Sequence, residues 1–206
     1  MIKAKHHPVI YPLFKWLSRF LIKRNFNSVQ IETDYIENDC PVLLIANHIS
    51  WWDGFWMEYL NQKIIHRKFH VMMLEEQLRK HWYFKYAGSY SIKKNSREVK
   101  DSIDYTIDLI KDRENMVLMF PQGRIYSAYN YTIHFEKGIQ LILKKCRDDL
   151  QVVFAANFTD FFSDAKPTLY IYTYTRSAAY LKNKDLETEY TKFYNRILDK
   201  HMQKES

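Results

Sequence analysis

An imidazole and a carboxylate stand five positions apart just after an apolar run: Asn47-His48-Ile49-Ser50-Trp51-Trp52-Asp53 follows residues 42–46. On a regular helix that separation puts two side chains about 140° apart, on different faces. Across a turn they can meet, provided His48 ends a strand and Asp53 opens the next helix. A carboxylate bonded to one imidazole nitrogen fixes the tautomer and leaves the other nitrogen to take a proton from a hydroxyl. The attacking group then belongs to the substrate. A plainer role fits the same residues, because Ser50-x-x-Asp53 has the spacing of a capping box for a helix starting near Trp51.

Two further sets have the same layout of apolar run, turn and polar residues. Gly88-Ser89-Tyr90-Ser91-Ile92-Lys93-Lys94 is a glycine, a short strand-like run and two cations. Lysines at a strand end are ordinarily solvated charge, but at the carboxyl end of a parallel strand they face the crevice where α/β sheets bind ligands, and a phosphate would suit them. Met116 to Phe120 runs into Pro121-Gln122-Gly123-Arg124-Ile125. Pro then Gly suits a β-turn with no further role. In a site, Gln122 would be a neutral hydrogen-bonding group and Arg124 an anion clamp. Three runs thus deliver polar or basic residues to what should be one edge of a sheet.

The elements that must position them alternate. Strand-like runs fall at residues 29–35, 42–46, 69–74, 89–92, 116–120, 150–156 and 168–173, and helical patterns at 54–60, 75–86, 96–111, 137–145 and 185–204. That alternation predicts a single α/β domain, a mixed, mostly parallel sheet flanked by helices. Only four glycines occur in 206 residues, Gly54, Gly88, Gly123 and Gly138, against a usual share of about 7%, and each lies at a turn or a helix start. Ahead of the sheet, residues 9–24 carry Ile10, Leu13, Phe14, Trp16, Leu17, Phe20 and Leu21 at helical spacing with Lys15, Arg19, Lys23 and Arg24 between them. This amphipathic helix either packs on the core or lies in a membrane interface with Trp16 at headgroup depth.

Composition narrows the possibilities. The net charge is +7, 17% of residues are aromatic and 27% charged, with mean hydropathy −0.46 and an isoelectric point near 9.2. An acidic partner is expected: an anionic membrane surface, a phosphate-bearing ligand or a nucleic acid. The basic residues are dispersed and no nucleic-acid recognition motif occurs, so nucleic acid is the weakest of these. No run approaches the roughly 18 apolar residues of a spanning helix. Cys40 and Cys146 are too few for a disulfide framework, which sets the expectation of a reduced, cytoplasmic setting. His66 and His70 lack a third ligand, and no metal site is expected. No serine-hydrolase elbow or phosphate-binding glycine loop is present. Trp51, Trp52, Phe55 and Trp56 crowd beside His48. They are either core or a wall for an apolar ligand or an interfacial belt, with Trp51 and Trp52 as ligand or membrane contacts.

Taken together, Asn47-His48 with Asp53 resembles the His-x4-Asp motif of the lysophospholipid acyltransferase family, which includes 1-acylglycerol-3-phosphate and glycerol-3-phosphate acyltransferases. Gly88 to Lys94 resembles that family's Gly-x-Ile-Phe-Ile-x-Arg block, Phe120-Pro121-Gln122-Gly123 its Phe-Pro-Glu-Gly block, and Phe135-Glu136-Lys137-Gly138 a Phe-x-x-Gly that opens the next helix. The match covers about residues 40–160 and takes in all four glycines. It divides the chain into residues 1–25, a membrane-interface helix, and 26–206, an acyltransferase domain.

The resemblance implies transfer of an acyl group from acyl-CoA or acyl carrier protein, with no cofactor, to a hydroxyl of a lysophospholipid such as 1-acylglycerol-3-phosphate. His48 would be the general base, Asp53 its orienter, Lys94 a phosphate contact, and Asn47, Gln122, Gly123 and Arg124 substrate-binding residues. It also implies a cytoplasmic protein peripheral on the inner face of the membrane. Departures concern the acceptor: Lys94 stands for arginine, Gln122 for glutamate, Arg124-Ile125 for Thr-Arg or Thr-Ser, and Val152-Val153-Phe154 lacks the usual proline of the fourth block. Another lipid hydroxyl, such as a glycolipid sugar, or a catalytically silent lipid-binding protein are the alternatives these departures raise.

Overall fold

The computed structural model describes residues 1–94 and 98–205. Seven strands, β1 (Val29–Glu32), β2 (Val42–Ala46), β3 (Lys68–Leu74), β4 (Ser89–Ile92), β5 (Asn115–Met119), β6 (Gln151–Asp160) and β7 (Thr168–Ser177), form one sheet in the order β1-β7-β6-β2-β5-β3-β4. Every pairing is parallel except β6 with β7. The chain therefore forms the single, mostly parallel α/β sheet expected from its alternating pattern.

Side-chain alternation splits the interior into two layers. Leu43 and Ile45 of β2, Val117 and Met119 of β5, and Val152 and Phe154 of β6 face one core. Val42, Leu44, Met116, Leu118, Val153 and Ala155 face the other. Because both faces are covered, these strands read as continuous apolar runs rather than alternating ones. α1 (Ile10–Asn25) and α2 (Asp53–Leu60) cover the second face through Ile22, Trp56, Met57 and Leu60. The first face is covered by α4 (Val99–Leu109), α5 (Gly138–Lys145), α6 (Ala178–Leu181) and α7 (Leu186–Met202).

Between β3 and β4 the expected helix over 75–86 breaks. α3 (Glu75–Lys80) stops at His81, and Trp82–Tyr86 continues as a 3-10 turn. The aromatic run 81–84 favours helix weakly, and Phe84 gains a better contact across the break, edge-on to Phe14 of α1 at 5.8 Å. The expected start of α4 at Ser96 lies outside the described residues. β6 and β7 run on to Asp160 and Ser177, past the expected ends, because ten paired positions form one antiparallel ladder. Gly88 has φ +99, and a Cβ there would lie 2.1 Å from the Phe69 carbonyl oxygen, so only glycine lets the chain enter β4 beside β3.

One buried group is unusual. Glu58 of α2 is fully buried, accepting from Asn61 Nδ2 at 3.1 Å and Gln62 Nε2 at 3.2 Å. Burial raises its pKa from 4.5 to about 7, against the pull of Lys15 and Arg19 on α1. Folded, the carboxyl keeps its proton where the unfolded chain has released it. Its stabilising effect is therefore complete below pH 4.5 and lost as pH rises through about 7, a difference on the order of 3 kcal/mol. Urea denaturation should show stability falling over that window and Glu58→Gln flattening the fall. An unchanged slope in the variant would assign it to other groups.

Candidate active site

β2 and β5 lie side by side and parallel, so Ala46 and Met119 end at the same edge. The chain leaves β2 towards β3 and leaves β5 towards β6, on opposite sides, which opens a crevice at the carboxyl ends of the two strands. His48 and the turn 120–124 both emerge there.

Four contacts fix His48. Its backbone N–H donates to Gln122 Oε1 at 2.7 Å, and its carbonyl accepts from Tyr126 N at 2.9 Å. Its ring stacks on Phe120 with centroids 4.2 Å apart, and Nδ1 lies 2.7 Å from Asp53 Oδ2. That same carboxylate oxygen accepts from Ile49 N at 2.7 Å and Ser50 N at 3.0 Å. Asp53 thus orders the turn and orients the imidazole with one atom, while the full capping box is not formed, since Ser50 Oγ accepts from Trp52 N at 3.2 Å rather than from Asp53 N.

Asp53 is fully buried at the first position of α2. Burial pushes its pKa up, while the bonds from His48, Ser50 and Ile49 pull it back. With Oδ2 taken by three donors, a proton would have to sit on Oδ1, which is buried and has no partner among the described residues. The geometry therefore favours the carboxylate, with the proton on His48 Nδ1. Nε2 is then the lone-pair nitrogen of a ring that lines the cavity beside it.

That cavity has a volume of about 1080 Å³. Phe14, Phe55 and Phe84 form one wall, and Met72, Ile103, Ile139 and Ile142 another. Its polar lining includes His48, Lys94, Arg124 and Glu136. Lys94 Nζ donates to Glu136 Oε1 at 2.6 Å. Gly123 has φ +65, and a Cβ there would meet Lys94 Nζ at 2.6 Å and the Glu136 side chain at 3.0 Å. Arg124 Nε donates to Tyr126 Oη at 2.8 Å, with the guanidinium over that ring.

His48, Asp53, Lys94, Gly123 and Arg124 are therefore gathered at one end of the sheet. Three other residues read as site members are turned elsewhere. Asn47 is buried and clamps the main chain of Asn157, accepting from its N–H at 2.8 Å and donating to its carbonyl at 3.0 Å. It ties β2 to β6 just past Ala46. Gln122 is buried too and holds the His48 backbone from behind. Trp52 packs edge-on against Phe26, with centroids 5.7 Å apart, whereas Trp51 is exposed and lines the cavity. Trp16 is exposed on α1, stacked on Phe20.

Sequence reasoning gave no role to Glu136 or Phe120. Glu136 was visible inside the Phe-x-x-Gly match, but its partner lies 42 positions away. Phe120 was read as the end of a strand and the first residue of the Phe-Pro-Gln-Gly match, with no stacking on His48 foreseen.

The acyltransferase family model matches residues 28–156, from just before β1 to within β6, and so contains all of the site residues named above except Phe14 and Trp16 of α1. A 1-acyl-sn-glycerol-3-phosphate acyltransferase of Streptococcus pneumoniae (strain ATCC BAA-255 / R6) is 27% identical over 108 residues, which are 50% of this chain and 39% of that protein. The chain thus spans about two fifths of that relative's length. A family match over more than half the residues, laid on this sheet, places the chain in the acyltransferase family.

Proposed function

We propose that the protein is a peripheral membrane O-acyltransferase that esterifies a hydroxyl of a lysophospholipid such as 1-acylglycerol-3-phosphate. The donor is a thioester, acyl-CoA or acyl carrier protein. The observation that carries this reading is the 2.7 Å His48–Asp53 bond at the rim of an apolar cavity. In the reaction, His48 Nε2 takes the hydroxyl proton as the acceptor oxygen attacks the thioester carbonyl carbon. Asp53 steadies the imidazolium that forms. The carbon–sulfur bond then breaks, the ester remains on the acceptor, and the proton passes from His48 to the departing sulfur as free thiol. The long apolar walls suit an acyl chain.

No helix among the described residues is long and apolar enough to cross a membrane. α1 and its N-cap Val9 nevertheless expose Val9, Leu13, Trp16 and Phe20, spaced four, three and four apart, with Lys23 and Arg24 in the last turn. Such a stripe with basic neighbours suits a helix lying at an anionic interface. The same helix lends Phe14 to the cavity wall, so a chain leaving the lipid would pass directly under it. Sedimentation with anionic vesicles should show Trp16→Ser/Phe20→Ser binding at least about tenfold more weakly, the loss expected from one or two aromatic side chains no longer buried. Undiminished binding would assign the stripe another role.

The function is tested by incubating the protein with labelled acyl-CoA or acyl carrier protein and lysolipid vesicles, while following free thiol and product ester. Thiol release that depends on the acceptor supports transfer. Lipid binding without thiol release or ester would leave a silent lipid-binding protein instead.

A further inference from the structure

Lys94 and Glu136 form an ion pair on the wall of the cavity that His48 faces, and neither is a casual surface residue. Glu136 is held from both sides. Its own N–H donates to the Pro121 carbonyl at 2.8 Å, and the N–H of the preceding Phe135 donates to Glu187 Oε2 of α7 at 2.7 Å. The turn at Gly123 passes so close to the pair that a methyl group there would overlap both partners. The carboxylate is thus delivered onto the ammonium by main-chain bonds from two elements. Two other cations among the described residues line the cavity: Arg124, whose Nε is directed to Tyr126, and Lys137, next to Glu136 in sequence.

A lone ammonium beside a hydroxyl-activating histidine would select acceptors bearing an anion. A paired ammonium does not. It offers a donor and an acceptor side by side, and an incoming phosphomonoester must displace the carboxylate or endure its repulsion. The pair is partly solvated, with side-chain exposures of 39% for Lys94 and 60% for Glu136, so the discrimination is moderate rather than absolute. We propose that Glu136 is a specificity residue that tunes the headgroup charge accepted at the site, moderating without excluding phosphomonoester acceptors such as 1-acylglycerol-3-phosphate and admitting uncharged hydroxyl or sugar headgroups beside them.

This rests on the acyltransferase reading, and the test keeps the two apart. Acylation of a lysophosphatidic acid and of a monoacylglycerol or monoacylated glycolipid is compared in wild type, Glu136→Gln, Lys94→Gln and the double variant. Glu136→Gln should raise the ratio of phosphomonoester to uncharged turnover about five- to tenfold. Lys94→Gln, which leaves the carboxylate alone, should lower it. The double variant should fall between. A parallel calorimetric titration with short-chain lysophosphatidic acid reads the same order as affinity without any turnover. If no variant releases thiol but the affinities follow this order, the acyltransferase reading fails and the role of Glu136 stands. If the ratio or the affinity moves the same way in both single variants, or in neither, the role of Glu136 is overturned whatever the enzyme does.

Discussion

Replacing His48 with alanine is expected to lower acceptor-dependent thiol release by about 10²- to 10⁴-fold, the usual cost of losing a positioned general base. The fold should survive. The ring is 21% exposed, its backbone bonds to Gln122 and Tyr126 do not need a side chain, and both His48 and Phe120, whose stack is lost, line the open cavity. Circular dichroism and vesicle binding should match wild type. A variant keeping more than a tenth of wild-type turnover, with its fold intact, would remove His48 from the chemistry.

Asp53 gives the second large effect, and its two neutral replacements should separate two roles. In Asp53→Asn the amide oxygen can take the place of Oδ2 and still accept from His48, Ile49 and Ser50, whose bonds now converge on that atom. The opposite flip would press an NH2 group against two backbone N–H donors. The imidazole therefore keeps its orientation and loses only the negative charge that steadies its protonated form. A fall of about 10² to 10³ in kcat with little change in KM is expected. Asp53→Ala strips a partner from all three donors, two of them in the turn that leads into α2. It should lose activity as deeply as His48→Ala and also cost about 2 to 5 kcal/mol of stability. Equal kcat values for Asp53→Asn and wild type would make Asp53 a turn residue alone.

Much of the sheet was readable because its central strands are buried on both faces. Residues 42–46 and 116–120 are unbroken apolar runs, and each is followed at once by a turn whose residues line the cavity. The meeting of His48 with Asp53 was also legible, since only a turn lets residues five apart touch in this way. The direction of Asn47 was not. One residue past a strand an amide can face either layer, and here the deciding partner is Asn157 on a strand 110 positions later. Gln122 and Glu136 escaped for the same reason, with partners 74 and 42 positions away. The cavity wall was hidden differently. Met72, Ile103, Ile139 and Ile142 carry the spacing of core residues, and nothing in an apolar pattern distinguishes a packed contact from one left open for a ligand.

The edge strand β1 pairs along β7, Val29 opposite Leu169. During synthesis this ladder has no template until β7 is made, about 140 residues after β1. At ordinary elongation rates of about 5 to 20 residues per second that is a wait of roughly 7 to 28 s. α1, ending at Asn25, can dock on α2 well before then, because Ile22 shares its apolar cluster with Trp56, Met57 and Leu60. The first strand made is therefore among the last to be paired, and closing of the sheet waits on β7.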